Sequence, residues 1–258
     1  MTKRPSDQEY IQKNLSAWEE VAPIHARHNQ STLLERVCDP SFSVLDDIAT
    51  THLTHLGMTG KSVAQVCCNN GVELLSCKTL GAGRCVGFDG AQGFVDQGIE
   101  LAETSRQDVE FVCCEAHRIP SDYHGAFDIV MITIGVLGWM PNIDRFFTEI
   151  AKLLAPEGVI FVYEHHPILV MLEPGHADDP ITWELSYFRR EAYIDDSGLD
   201  YYGGEEYAAT PNASFSHKLS DIVMAGIKAG LVLEYFEELP QHISNAWWNV
   251  ENSGIGLP

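Results

Sequence analysis

Three carboxylates close three apolar runs in the middle of the chain: Asp89 ends CVGFD, Glu115 follows VEFVCC, and Glu164 follows VIFVY. An acid at the carboxyl end of a buried strand can accept both hydroxyls of a ribose, the chemistry open to Asp89. Glu115 can accept from an adenine amino group while the backbone N–H of Ala116 donates to the ring. Glu164 is followed by His165 and His166, which with it can take a proton from a reacting acceptor or simply hydrogen-bond the adjoining backbone. A histidine pair beside a carboxylate can also bind a metal, but no third ligand stands at a recognisable spacing, so no metal is expected.

A fourth station precedes these. In VAQVCCNNGVELLS, residues 63–76, an apolar run passes through a bend into a helical pattern. Such a bend holds a pyrophosphate when it is rich in glycine, because several backbone N–H groups must approach the phosphates. Only Gly71 is glycine; Cys67, Cys68, Asn69 and Asn70 fill the rest of the bend. A dinucleotide is poorly served. A cofactor with an adenosine and an amino-acid tail but no phosphate makes lighter demands, which points to S-adenosyl-L-methionine. Asparagine tolerates the left-handed backbone better than most residues, so Asn69 can stand at a bend, with its side chain free to contact the amino-acid part.

These stations need elements to hold them. The spacing predicts strands at 62–68, 85–89, 109–114, 127–133 and 159–164, and helices at 7–20, 41–56, 71–80, 94–104 and 143–154. Trp18, Val21 and Ile24 extend the apolar face of the first helix. Short apolar strands alternating with helices indicate an α/β fold, a Rossmann-like, mostly parallel sheet with helices on both faces. Residues 165–215 break the rhythm; four prolines, five tyrosines and Trp183 make them an inserted cap after the fifth strand. A helix at 216–229 and a further strand at 231–239 follow, and residues 240–258 hold Trp247 and Trp248. The chain therefore divides into an N-terminal helical segment (1–56), a cofactor-binding core (57–164), the cap (165–215) and a C-terminal part (216–258), all in one domain.

Composition narrows the partners. With 37 acids against 16 bases the net charge is −21, and the bases form no stripe, so a nucleic-acid partner is not expected. No run reaches the roughly 20 apolar residues of a membrane span. The N-terminus lacks the apolar core of a secretory signal, and the seven cysteines show no disulfide spacing, so a cytoplasmic setting is expected. The pairs Cys67/Cys68 and Cys113/Cys114 read as small buried residues at strand ends.

From about Trp18 to Leu239 the chain resembles the class I S-adenosylmethionine-dependent methyltransferases, nearest the small-molecule, ubiquinone/menaquinone type. The family's first motif, hydrophobic-acid-hydrophobic-G-x-G-x-G, falls on residues 63–71, with Gln65 in the acid's place, Cys67 and Asn69 in the first two glycine places and Gly71 in the last. The ribose acid falls on Asp89 beside Gly90, and the adenine-side acid on Glu115 beside Ala116. The stretch FDIVMITIGVLGWMPNIDRFFTEIAKLLAPEGVIFVYEHHP resembles the family's fourth strand, following helix and fifth strand most specifically. The resemblance implies methyl transfer to O, N or C of a small-molecule acceptor. It implies that Ile134 and Gly135 border the sulfonium and that the N-terminal segment with Tyr10, Trp18 and His25 closes over the cofactor. Phe94 packs on the adenine or faces the sheet. Trp183, Tyr187 and Tyr201, with Phe188, Tyr202 and Tyr207, line an aromatic acceptor pocket or pack the cap onto the domain. The alternative is a protein of the same fold that binds the cofactor without methylating, a cyclase, lyase or binding module. A homodimer is compatible with either reading.

Overall fold

In the computed structural model, which describes residues 5–172, 179–203 and 207–240, five parallel strands form a sheet in the order β3-β2-β1-β4-β5. They are β1 Val63–Val66, β2 Cys85–Asp89, β3 Val109–Cys113, β4 Phe127–Thr133 and β5 Leu154–Tyr163. Strand order reverses between β1 and β4, which opens a crevice at their carboxyl ends.

Alternation along each strand assigns its side chains to two apolar layers. Ile129 and Met131 of β4 join Val63, Leu74 and Cys77 on one face, whereas Val130 and Ile132 join Phe88, Phe146 and Ile150 on the other. Both faces are covered, so the strands read as unbroken apolar runs. Gln65 is the polar exception within β1, and it is 1% exposed.

The helices, in chain order, are α1 Asp7–His25, α2 Ser31–Arg36, α3 Asp47–His55, α4 Val72–Thr79, α5 Gln92–Ser105, α6 Ile143–Ala151 and α7 Leu219–Lys228. Helix α1 begins with a capping box, in which Ser6 accepts from the Glu9 N–H while Glu9 accepts from the Ser6 N–H. It runs on past Pro23 and widens into a π-turn at Ala26–Gln30 before α2. The helix expected over 41–56 forms only from Asp47. Upstream of it the Asp39 carboxylate takes the Ser41 N–H at 2.8 Å, a local turn that competes with helix.

Two further expectations change. Strand β5 starts earlier than predicted, at Leu154, and absorbs the turn as a register shift where Glu157 has φ 63°. The strand expected at 231–239 does not form: among the described residues this segment pairs with no strand, and Val232 and Tyr235 are 82% and 63% exposed. Its side chains are held one by one instead, Glu237 by His52 and Glu238 by His166. A strand forms only where a neighbour completes its ladder. Trp247 and Trp248 lie outside the described residues.

The cap carries a small antiparallel ribbon, β6 Tyr193–Asp195 with β7 Asn212–Ser214. It docks on α1. Buried Asn14 donates to the Ala213 carbonyl at 2.8 Å and accepts from the Ala213 N–H at 2.7 Å, acting as a one-residue strand edge. Thr210 bonds Glu20, and the Tyr10 and Phe215 rings meet edge to face at 5.3 Å. The Phe215 N–H also reaches the Gly138 carbonyl, tying the cap to the loop beyond β4.

Candidate active site

The loop between β1 and α4 answers its missing glycines with backbone geometry. Cys67, Asn69 and Gly71 all adopt positive φ, at 56°, 52° and 68°, so left-handed residues alternate along the bend. Two of the three carry side chains, a strained arrangement that tertiary contacts must hold. The Asp89 carboxylate supplies one such contact, accepting the Asn69 N–H at 2.8 Å, and the Asn69 carbonyl oxygen of the side chain accepts from the Asn70 N–H at 2.8 Å. Gly71 also packs closely against β3. A Cβ there would stand 2.2 Å from Cε1 of Phe111, so the glycine makes room for β3 packing.

Asp89 ends β2 with its second oxygen on the Ala91 N–H. Burial pushes its carboxyl up to about 6, against the pull of these amide hydrogen bonds. Gly90, beside it, faces Leu15 of α1 so closely that a Cβ would collide with it. Glu115 accepts from Gln8 of α1 at 3.1 Å and stands 3.6 Å from Arg118. Its other oxygen is buried without a hydrogen-bond partner, beside buried Ala116. Ile134 and Gly135 follow β4 half-buried, with Gly135 at φ 90°. Phe94 is buried beneath α1, its ring 6.0 Å from Trp18 and 5.5 Å from His25.

The cluster proposed as proton acceptor is engaged elsewhere. Glu164 accepts from the N–H groups of Gly135, Leu137 and His165 at 2.5, 3.0 and 2.8 Å, so it pins the loop after β4 to the end of β5. His166 accepts from the Ile168 N–H on one ring nitrogen and holds Glu238 at 2.9 Å on the other. His165 sits with Nδ1 3.7 Å from Glu164. Cap aromatics divide similarly. Trp183 bridges to Leu172 and is 57% exposed, and Tyr187 accepts from the Leu219 N–H at the start of α7. Only Tyr201, of the three named for the acceptor, meets the α1 side, its ring 4.2 Å from His25.

The structure adds Trp139 and Glu73, which the sequence did not mark, and gives a definite setting to His25, which it did. Trp139, beyond β4, meets Trp18 at 5.4 Å, so α1 and the β4 loop touch across the strand ends. His25 is 2% exposed; its Nε2 bonds the Leu199 carbonyl at 2.9 Å, which fixes the proton there and leaves Nδ1 buried and unengaged. Burial lowers its pKa and keeps it neutral. Glu73, in the first turn of α4, brings a carboxylate back over β1, accepting from Gln65 at 2.5 Å and Thr133 at 2.6 Å.

Residues 63–158, from β1 to the bend inside β5, match the family model described as a methyltransferase domain. A structure titled as an S-adenosylmethionine-dependent methyltransferase from Mesorhizobium loti superposes with a TM-score of 0.57 at 17% identity, over 75% of this chain and 85% of that one. The PH0226 protein from Pyrococcus horikoshii OT3 superposes with a TM-score of 0.50 at 14% identity, over 73% and 85%. No curated protein matches in sequence. Residues 63–158 thus resemble a methyltransferase domain, and the superposed structures share the fold of this chain.

Glu73, Asp89, Glu115 and Glu164 lie at the strand ends, and Glu115 Oε1, 3.7 Å from His117 Nδ1, is buried without a hydrogen-bond partner among the described residues. A cationic sulfonium fits this field; a pyrophosphate does not.

Proposed function

We propose that this methyltransferase acts on a small molecule enclosed between the strand ends and a roof formed by α1 and the cap. The observation that carries the proposal is the roof itself: Asn14, Glu20 and His25 of α1 each bind a different stretch of the cap, while Gln8 and Trp18 reach down to Glu115 and Trp139. Such a covered site suits a small acceptor and excludes water, and the net charge of −21 disfavours a nucleic-acid substrate.

Asp89 holds the ribose, Glu115 the adenine edge, and the 67–71 loop the amino-acid end. The cofactor supplies an electrophilic methyl group, so the chain's tasks are to align the acceptor and, where it is protonated, to remove a proton. His25 is the base best prepared for that, because it is neutral and one ring nitrogen is unengaged. The acceptor lies against the aromatic wall of Trp18, Trp139 and Tyr201. The test is transfer of a labelled methyl group from the donor into a small-metabolite pool. Labelled product lost roughly 10²-fold in His25→Gln, with unchanged S-adenosylhomocysteine affinity, supports the assignment. Binding of the donor without any labelled product favours the non-methylating alternative.

A further inference from the structure

A recess of about 440 Å³ lies away from the strand-end carboxylates, between the start of α6, helix α7 and the cap. None of Glu73, Asp89, Glu115 and Glu164 lines it. Its volume falls within the roughly 300–1,000 Å³ of small-molecule sites. Its charge runs against that of the chain. In a protein of net charge −21, four bases line this recess with three acids. Lys218 pairs with Asp221 at 2.9 Å and Lys228 with Asp144 at 2.7 Å. Beyond these pairs the lining holds Arg189, Arg190 and exposed Glu191, one positive charge in excess. His217 adds none, since burial lowers its pKa and its Nε2 bonds the Met140 carbonyl at 2.8 Å.

Arg189 is the fixed member of this set. Its Nε donates to the Glu191 carbonyl at 3.0 Å and its Nη2 to the Ala192 carbonyl at 3.0 Å, while its guanidinium lies 5.9 Å from the Tyr193 ring centre. All three partners are uncharged, and no ion pair among the described residues includes Arg189. A guanidinium has five N–H donors, so the end formed by Nη1 and the second Nη2 hydrogen remains for an oxyanion. The rest of the lining supplies apolar surface: Phe188 is 74% exposed, Met224 is 44% exposed, and Phe215 is buried. A rigidly held cation without a carboxylate, in one recess with exposed apolar side chains, is complementary to an anion that carries an apolar body.

We propose that this recess binds an amphiphilic carboxylate, its head on Arg189 and its apolar body against Phe188 and Met224. The single excess positive charge suits a monoanion, and the planar guanidinium matches a carboxylate end-on. This site goes beyond the methyl-transfer reading and does not depend on it.

The test is calorimetric titration of dodecanoate, below its micellar concentration, into the full chain. Acetate serves as the head alone, and dodecyltrimethylammonium as the same body with the opposite charge. Wild type is expected to bind one dodecanoate per chain, at least tenfold tighter than either control, and equally within threefold whether or not S-adenosylhomocysteine is present. Met224→Glu sets a like charge against the body of the ligand from an exposed position of α7, and Arg189→Gln removes the partner of its head. Each is expected to weaken dodecanoate at least tenfold. Arg189 also braces the cap through two carbonyls, so if Arg189→Gln does not fold, as judged by its thermal transition, Met224→Glu decides alone. Dodecyltrimethylammonium binding as tightly as dodecanoate, Met224→Glu binding as well as wild type, displacement by S-adenosylhomocysteine, or no saturable binding at all would each overturn the proposal.

Discussion

Backbone conformation at three residues carries much of the site. Asn69 holds φ 52° with its own side chain bonded to the Asn70 N–H, so Asn69→Gly should be neutral or stabilise by up to about 1 kcal/mol, whereas Asn69→Val should destabilise by about 2 kcal/mol. Urea unfolding of the two variants checks the order. Gly71→Ala drives a methyl into Phe111 at a left-handed position, and we expect a loss of about 2–4 kcal/mol, seen as a lower melting temperature before any ligand is added. An intact melting temperature would show that Phe111 can move aside. Asp89 makes a third residue-scale prediction. Its folded pKa of about 6 lies above the usual value near 4, so between these values the folded state binds more protons than the unfolded. Its contribution to stability therefore rises as pH falls from about 7 toward 4. Since some water reaches this carboxylate, the gain should be about 1–2 kcal/mol. The melting temperature of wild type should rise on acidification more than that of Asp89→Asn; equal responses would contradict the shift.

Among elements, the sheet was the part most readable in the sequence. Strands β2 and β4 fall on the expected residues because each is an apolar run closed by a turn and buried on both faces. Elements whose existence depends on distant partners were not readable. The α1–α2 continuation hides behind Pro23, and the 231–239 alternation found no ladder. The site shows the same division. Asp89 and Glu115 could be named from strand ends, a local rule. Glu73 could not, because its meaning depends on α4 turning it back onto Gln65 and Thr133, eight and 60 residues away. For Glu164 and His166 the sequence left proton transfer and backbone hydrogen bonding both open, and the structure shows Glu164 accepting from backbone amides and His166 beside Glu238. At this scale the α1–cap junction is testable. Asn14→Ala leaves the Ala213 N–H and carbonyl buried without partners, which should cost about 2–4 kcal/mol and loosen the cap. Limited proteolysis should then cut within 179–215 faster than in wild type, while cleavage within the five-stranded core stays unchanged.

For the whole molecule, charge and topology agree. A net charge of −21 and four acids around the strand ends at the β1/β4 crevice give a field suited to a cation carrying adenosine. Three of those acids, Glu73, Asp89 and Glu164, have carboxyls raised by burial, so the protein without ligand holds unfavourable charge that a cationic cofactor relieves. The cap is bound to α1 at three separate points, through Asn14, Glu20 and His25. The central claim is that adenosine binds at the ends of β2 and β3 with its ribose on Asp89. The most direct measurement is calorimetric titration of S-adenosylhomocysteine into wild type and Asp89→Ala, with NAD as the control ligand. Removing charge-assisted hydrogen bonds worth roughly 1.5–3 kcal/mol should weaken S-adenosylhomocysteine about tenfold to a hundredfold, with NAD binding neither form appreciably. Equal affinity of the two forms for S-adenosylhomocysteine, or tighter binding of NAD by wild type, would contradict the account.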